Sequence, residues 1–227
     1  MLNKSTSYKY LDVITGMFVA VLIVSNIAST KIVSVNGILF DGGTILFPLA
    51  YIFGDILTEV YGFARARRVI WIGFAALALT IATLAVVQYL PPAADWPNQA
   101  SYEAVLGFIP RIVAASMVAY LIGEFLNSFV LAKMKLRSKG KYLWQRLLGS
   151  TVVGQAADTV VFTLLAFAGT LPASALINIM LTVYVLKLVV EALLLPVTYR
   201  IVAALKRLER VDAFDKKTDF SPFNLGQ

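Results

Sequence analysis

The chain alternates long apolar runs with short polar breaks, and six runs stand out: 11–33, 44–61, 69–90, 111–133, 144–168 and 173–205. About 20 helical residues cross the hydrocarbon core of a bilayer. Within it the backbone must satisfy its own hydrogen bonds, which leaves helices or closed barrels. These runs are rich in Leu and Ala and lack the short alternating pattern of barrel strands, so each predicts a helix. The second run is short; it is expected to start nearer Phe40, to tilt little, or to be shielded by its neighbours. The first follows Lys4 and Lys9 and continues without a small-residue cleavage site, which predicts a retained helix rather than a signal peptide.

The breaks differ in charge. Positions 62–68 hold Arg65, Arg67 and Arg68; 133–146 hold Lys133, Lys135, Arg137, Lys139, Lys141 and Arg146; the end of the last run holds Lys206, Arg207 and Arg210. The breaks between them carry Asp41, then Asp95 and Glu103, then no charge. Lys and Arg favour the cytoplasmic side. The alternation therefore predicts an all-α polytopic membrane protein of six transmembrane helices, with both termini in the cytoplasm. Pro91, Pro92 and Pro97 break the chain after the third helix; positions 101–109 read either as a short interfacial helix or as an irregular loop. Pro196 is expected to kink or end the last helix. Residues 1–210 form a single transmembrane transport domain, and 211–227, polar with Pro and Gly, a flexible cytoplasmic tail.

Composition sharpens this picture. Of 227 residues, 59% are hydrophobic and 15% charged, against about 45–50% and about 25% in soluble domains. The net charge of +7 is concentrated in the basic breaks, unlike the continuous basic surface of a nucleic-acid binder. The chain has no Cys and no His, which removes disulfides, thiolates and imidazole chemistry. No P-loop, H-E-x-x-H or G-x-S-x-G stands in it. No catalytic residue, metal site or cofactor is assigned, and an enzyme is set aside.

Charges inside a bilayer are costly and normally face the bundle interior. Asp55 and Glu59 are four residues apart on one helix face. Glu124 and Asn127 share a face in the fourth run, and Gln155 and Asp158 in the fifth. The sixth holds Lys187, which could neutralise Asp55 or Asp158, and Glu191; Arg111 begins the fourth. Each set reads as a cavity lining or as a structural pair between helices. A weak likeness between 54–59 and 154–159, with Asn26 answering Asn127, suggests two inverted three-helix halves. Glycines such as Gly54, Gly123 and Gly154 read as close helix packing. Aromatics such as Tyr51 and Phe162 read mainly as packing or interface anchors, although one or two could stack on a planar ligand.

Taken together, Ser25-Asn26, Phe47-Pro48-Leu49-Ala50-Tyr51-Ile52, Gly54-Asp55-Ile56-Leu57-Thr58-Glu59-Val60-Tyr61-Gly62 and Ala64-Arg65 form a familiar pattern. Arg111, Gly123-Glu124-Phe125-Leu126-Asn127-Ser128, Trp144-Gln145-Arg146, Ser150-Thr151, Gly154-Gln155, Asp158-Thr159, Phe162, Lys187 and Glu191 continue it. The chain resembles the bacterial queuosine precursor transporter family, also called the vitamin uptake transporter family. That resemblance implies a multi-pass inner-membrane importer of a 7-deazaguanine such as preQ0 or preQ1, salvaged for queuosine in tRNA. The expected substrate-binding residues are Asn26, Asp55, Glu124, Asn127, Gln155 and Asp158; Glu59, Arg111, Lys187 and Glu191 are expected to gate or to pair charges. A carboxylate can take the adjacent N–H groups of the base with two hydrogen bonds, and an amide can read its carbonyl. The partners expected are the small-molecule base and the lipid bilayer, with no nucleic acid; a homodimer stays open. Three rival readings remain: a substrate-binding subunit for an energising ATPase module, a non-transporting membrane scaffold whose interior carboxylates pair off completely, and a carrier of another planar heterocycle or vitamin.

Overall fold

The computed structural model describes residues 8–35, 38–107 and 110–224. In chain order it contains α1 (Leu11–Ala28), β1 (Ile32–Val35), β2 (Ile38–Asp41), α2 (Phe47–Ile56), α3 (Phe63–Tyr89), α4 (Gln99–Leu106), α5 (Pro110–Arg137), α6 (Leu143–Phe167) and α7 (Ala173–Glu209). β1 and β2 form one antiparallel hairpin, with Ile32 opposite Asp41 and Val35 opposite Ile38. Among the described residues, five helices are long and apolar enough to cross a bilayer, namely α1, α3, α5, α6 and α7. Their outer faces expose Leu79, Val86, Leu181 and Leu193, which lipid solvates where water would not.

The run 44–61 takes a different form from the other five. A 3-10 turn, Gly42–Ile45, leads into the 10-residue α2, and five residues of π-helix, Leu57–Tyr61, continue it. Helix and π-turn together span about 22 Å at 1.5 Å per residue, short of the roughly 30 Å hydrocarbon core. Pro48, at the start of α2, suits a helix's first turn. Burial explains how a short element can sit here: Tyr51, Ile52, Gly54, Asp55 and Ile56 are all inside the bundle. Gly62 closes the segment with a φ of 86°, a backbone conformation glycine adopts freely.

Three further differences from the sequence pattern matter. α1 stops at Ala28, so Lys31 falls in the connection that also carries Asp41, and that connection is not free of basic residues. α4 forms a short helix where both helix and loop were open, and Trp96 meets Tyr102 edge-on beside it. α7 runs through Pro196 for 37 residues without ending.

The last segment is seated rather than loose. α3 has no side-chain cap of its own; the Phe63 N–H donates to both Asp215 carboxylate oxygens, at 3.1 and 3.0 Å. The Ala213 N–H donates to the Val60 carbonyl at 3.2 Å. Arg67 donates to the carbonyls of Asp219 and Ser221 at 2.7 and 2.6 Å, and the Trp71 indole to that of Pro222 at 2.8 Å. Phe220 packs against Phe63 and Phe129, with Lys133 over its ring. At the end of α7, Glu209 accepts the backbone N–H groups of Lys9 and Tyr10 at 3.0 and 2.7 Å and so caps α1. The start of α1 and the end of α7 thus meet at one end of the bundle, called here the terminal end.

Candidate functional site

Two polar layers cross the interior. The one at the terminal end is built on Glu59, in the π-turn. Its side chain is fully buried and receives Arg146 from α6 at 2.7 Å, Lys206 from α7 at 2.6 Å and Lys135 from α5 at 3.4 Å. Lys135 also donates to the Glu59 carbonyl at 2.5 Å. The tail adds a second acid: Asp212 stands 2.5 Å from Lys135 and 2.9 Å from Lys206. Burial pushes the Asp212 carboxyl up, but hydrogen bonds from Lys135 and Lys206 outweigh it and hold it below the usual carboxylate range. Beside this layer the Thr58 hydroxyl donates to Ser128 at 3.0 Å.

The second layer lies in the middle of the bundle, where α2, α5, α6 and α7 cross. Asn127 donates its amide to Asp55 at 2.8 Å. Glu191 accepts the Thr151 hydroxyl at 2.5 Å and, more weakly, the Gln155 amide at 3.5 Å. Lys187 pairs with Asp158 at 2.5 Å. Glu124 is different: it is fully buried, and among the described residues neither of its carboxylate oxygens has a hydrogen-bond partner. Buried polar groups are nearly always partnered, and among the described residues Glu124 is the buried acid with both oxygens left over. Tyr51 Oη, Asn127 Oδ1, Gln155 Oε1 and Thr159 Oγ1 are likewise buried and unpartnered.

Glycines allow this crossing to be so tight. A Cβ on Gly54 would stand 2.5 Å from Glu124 Oε2. One on Gly123 would stand 2.8 Å from the Tyr51 hydroxyl and from Asp158 Cβ, and one on Gly154 would stand 2.7 Å from Asn127 Cβ. Small residues at helix crossings let backbones approach closely, and here they bring the acids of α2, α5 and α6 to one level.

Of the residues singled out in the sequence, Asp55, Glu124, Asn127, Gln155, Asp158, Lys187 and Glu191 gather in the middle layer, whereas Glu59 stands apart at the terminal end. Asn26 turns its amide to its own helix, donating to the Leu22 carbonyl at 2.8 Å. The Arg111 side chain lies outside the described residues. From the sequence, Tyr51 is named as an aromatic and Thr159 within the family pattern, and neither is assigned to the site, although Tyr51 lies one turn before Gly54 and Thr159 one turn after Gln155, on the same faces. From the sequence, Lys135 and Arg146 are topology charges, with Arg146 also in the family pattern; both are buried ion-pair partners. Among the described residues no group of three or more acids is placed to hold a metal ion.

A family described as "putative vitamin uptake transporter" matches residues 41–201. A "probable queuosine precursor transporter" of Bacillus subtilis (strain 168) is 30% identical over 188 residues, covering 81% of this chain and 82% of that protein. A "queuosine precursor transporter" of Escherichia coli (strain K12) is 26% identical over 165 residues, 73% of this chain and 72% of its own. A third relative with the "probable" form of that name, from Haemophilus influenzae, is 29% identical over 126 residues, 55% of this chain and 51% of its own. No solved structure matches.

Proposed function

Because this chain belongs to the vitamin uptake transporter family, we propose that it imports queuosine precursors, 7-deazaguanine bases such as preQ0 and preQ1, across the cell inner membrane for salvage into tRNA. It is a multi-pass membrane carrier and not an enzyme. The observation that carries the reading, beside the relatives, is the buried Glu124 carboxylate with no partner of its own. A 2-amino lactam presents two adjacent N–H groups, which one carboxylate can accept together. Asp55, Asn127, Gln155 and Asp158 surround it as further contacts, with the free carbonyl oxygens of the two amides available to N–H donors. Asn26 joins only in a state where its amide leaves the Leu22 carbonyl.

Glu59 and its cations act as the gate at the terminal end, and Lys187 and Glu191 keep the middle layer in charge register. We assign the terminal end to the cytoplasm, following the basic breaks at 62–68 and 133–146. The meeting of Lys9 with Glu209 supports an even number of crossings. With five long helices, that makes α2 and its π-turn the sixth. Gly54 of α2 and Gly154 of α6 both pack on α5, which supports related three-helix halves.

The test is uptake by purified protein, alone in proteoliposomes, of labelled preQ0 and preQ1. Saturable entry without any other protein is expected. A requirement for an added ATPase module would favour the subunit reading instead. If neither compound binds at micromolar concentration, the assignment fails.

A further inference from the structure

The middle layer is unbalanced in two ways. The first concerns hydrogen bonds. Four of its unpartnered buried atoms can only accept: both oxygens of Glu124, Oδ1 of Asn127 and Oε1 of Gln155. The amide nitrogens of Asn127 and Gln155 are already turned to Asp55 and Glu191. Among the described residues the hydroxyls of Tyr51 and Thr159 remain as possible donors. A ligand that satisfies this layer therefore brings hydrogen-bond donors, N–H or O–H.

The second imbalance is charge. The acids are Asp55 on α2, Glu124 on α5, Asp158 on α6 and Glu191 on α7; the cation facing them, among the described residues, is Lys187 on α7, already paired with Asp158. Among the described residues the other titratable groups facing these acids are the phenols of Tyr51 and Tyr120. The cations of the terminal end are engaged with Glu59 and Asp212. A neutral donor-rich cargo would satisfy the acceptors and leave the acid surplus as it stands, whereas a cargo with a positive arm would meet both needs.

We propose that this acceptor-rich, acid-surplus seat selects a positively charged cargo: among 7-deazaguanines, the one bearing an aminomethyl arm over the one bearing a nitrile. The inference rests on the carrier reading above and adds the charge state of its substrate. Glu124 receives the donor edge of the ring. The ammonium, protonated at neutral pH like other alkylamines, offsets the acids beside it. Gly54 is the position whose missing side chain lets Glu124 lie there, and the Tyr51 hydroxyl donates to the ring carbonyl.

The experiment is equilibrium binding at pH 7 to the full-length protein in nanodiscs, with the aminomethyl and nitrile bases measured separately. The wild type is expected to bind the aminomethyl base at least about tenfold more tightly, since one added charge pair at short, partly screened range gives at least that factor. Glu124→Gln keeps the size of the side chain and removes its charge; it should weaken the aminomethyl base much more than the nitrile and bring the two affinities within about threefold. Should that variant fail to elute as folded protein, Gly54→Ala, whose methyl displaces the Glu124 carboxylate, carries the same expectation. Equal affinities in the wild type, tighter binding of the nitrile, or an undiminished preference in a folded variant would each overturn the inference while leaving the carrier reading intact. Binding of neither base would instead remove the carrier reading.

Discussion

Replacing Glu59 by Gln tests the terminal-end layer most severely. Lys135 and Arg146 each have side chains only 2% exposed, while Lys206 is 23% exposed and is shared with Asp212. Removing the acid takes the carboxylate from the buried Arg146, while Lys135 keeps Asp212 at 2.5 Å, and breaking a buried pair on one side costs about 3–5 kcal/mol. Lys206 adds little, because a half-solvated pair is worth at most about 1 kcal/mol. The single variant should therefore lose roughly 3–5 kcal/mol, read by reversible unfolding in mixed detergent micelles. Arg146→Gln should also destabilise, since it leaves Glu59 with lysines only. In the double variant Glu59→Gln with Arg146→Gln, the orphaned charge on α6 is gone, so the combined loss should fall short of the sum by about 1–3 kcal/mol. If the two losses add to within about 0.5 kcal/mol, Glu59 and Arg146 are not energetically paired, and the gate assigned to them has no basis.

Asp215→Ala should cost about 1–2 kcal/mol by uncapping α3, and limited proteolysis should then cut the tail faster than in the wild type; equal protection would refute its role as a remote cap. Because the folded Asp212 carboxyl is held below its unfolded value, its stabilising effect is full above about pH 4–5. That effect should fade as pH drops through the depressed value, and Asp212→Asn should flatten this acid limb of the unfolding curve. Gly154→Ala meets Asn127 Cβ at 2.7 Å and the Gly123 carbonyl at 3.0 Å, so it should lose about 1–3 kcal/mol as overpacking does. Gly54→Ala meets the mobile end of the Glu124 side chain; its stability should change less, measured in the same unfolding assay, while substrate binding drops.

Five membrane-crossing helices were legible because each carries its own hydropathy signal over some 20 residues. The second run is as apolar as the others, and hydropathy does not distinguish a residue facing lipid from one facing protein. The brevity and burial of α2 were therefore invisible, although its Asp55 and Glu59 gave away that the segment faces inward. The middle layer was legible for the same reason: a charged or amide side chain in a span has few places to go. Which residue pairs with which was not legible. Glu59 meets Lys206 and Arg146 from 147 and 87 positions away, and no local spacing encodes that. Asn26 fitted the pattern but satisfies itself on its own helix, as amides readily do. The tail was misread because its polar composition looks like a loose end. Its Phe220 finds a seat on Phe63 and Phe129, and Arg67 and Trp71 on α3 hold its backbone; that surface exists only after the helices pack.

The tail also changes what it costs to open the terminal end. If Glu59 alone held Lys135, Arg146 and Lys206, separating it from them would strand three cations at once. Asp212 already stands against two of the three, Lys135 and Lys206, and its own side chain is 44% exposed. When the π-turn moves away, those two lysines keep an acid at their side, and Arg146 retains the carbonyl of Lys141. The desolvation cost of unpaired buried charge is thereby replaced by an exchange of partners, and partner exchange is the cheaper route between two packed states. The middle layer has no such reserve: among the described residues neither Glu124 oxygen has a hydrogen-bond partner. On the proposed carrier reading, one end of the pathway opens with most of its charges still paired, and its centre gains partners when a ligand occupies it. That division of polar groups is what a carrier requires, and a scaffold whose buried charges were all mutually satisfied would lack it.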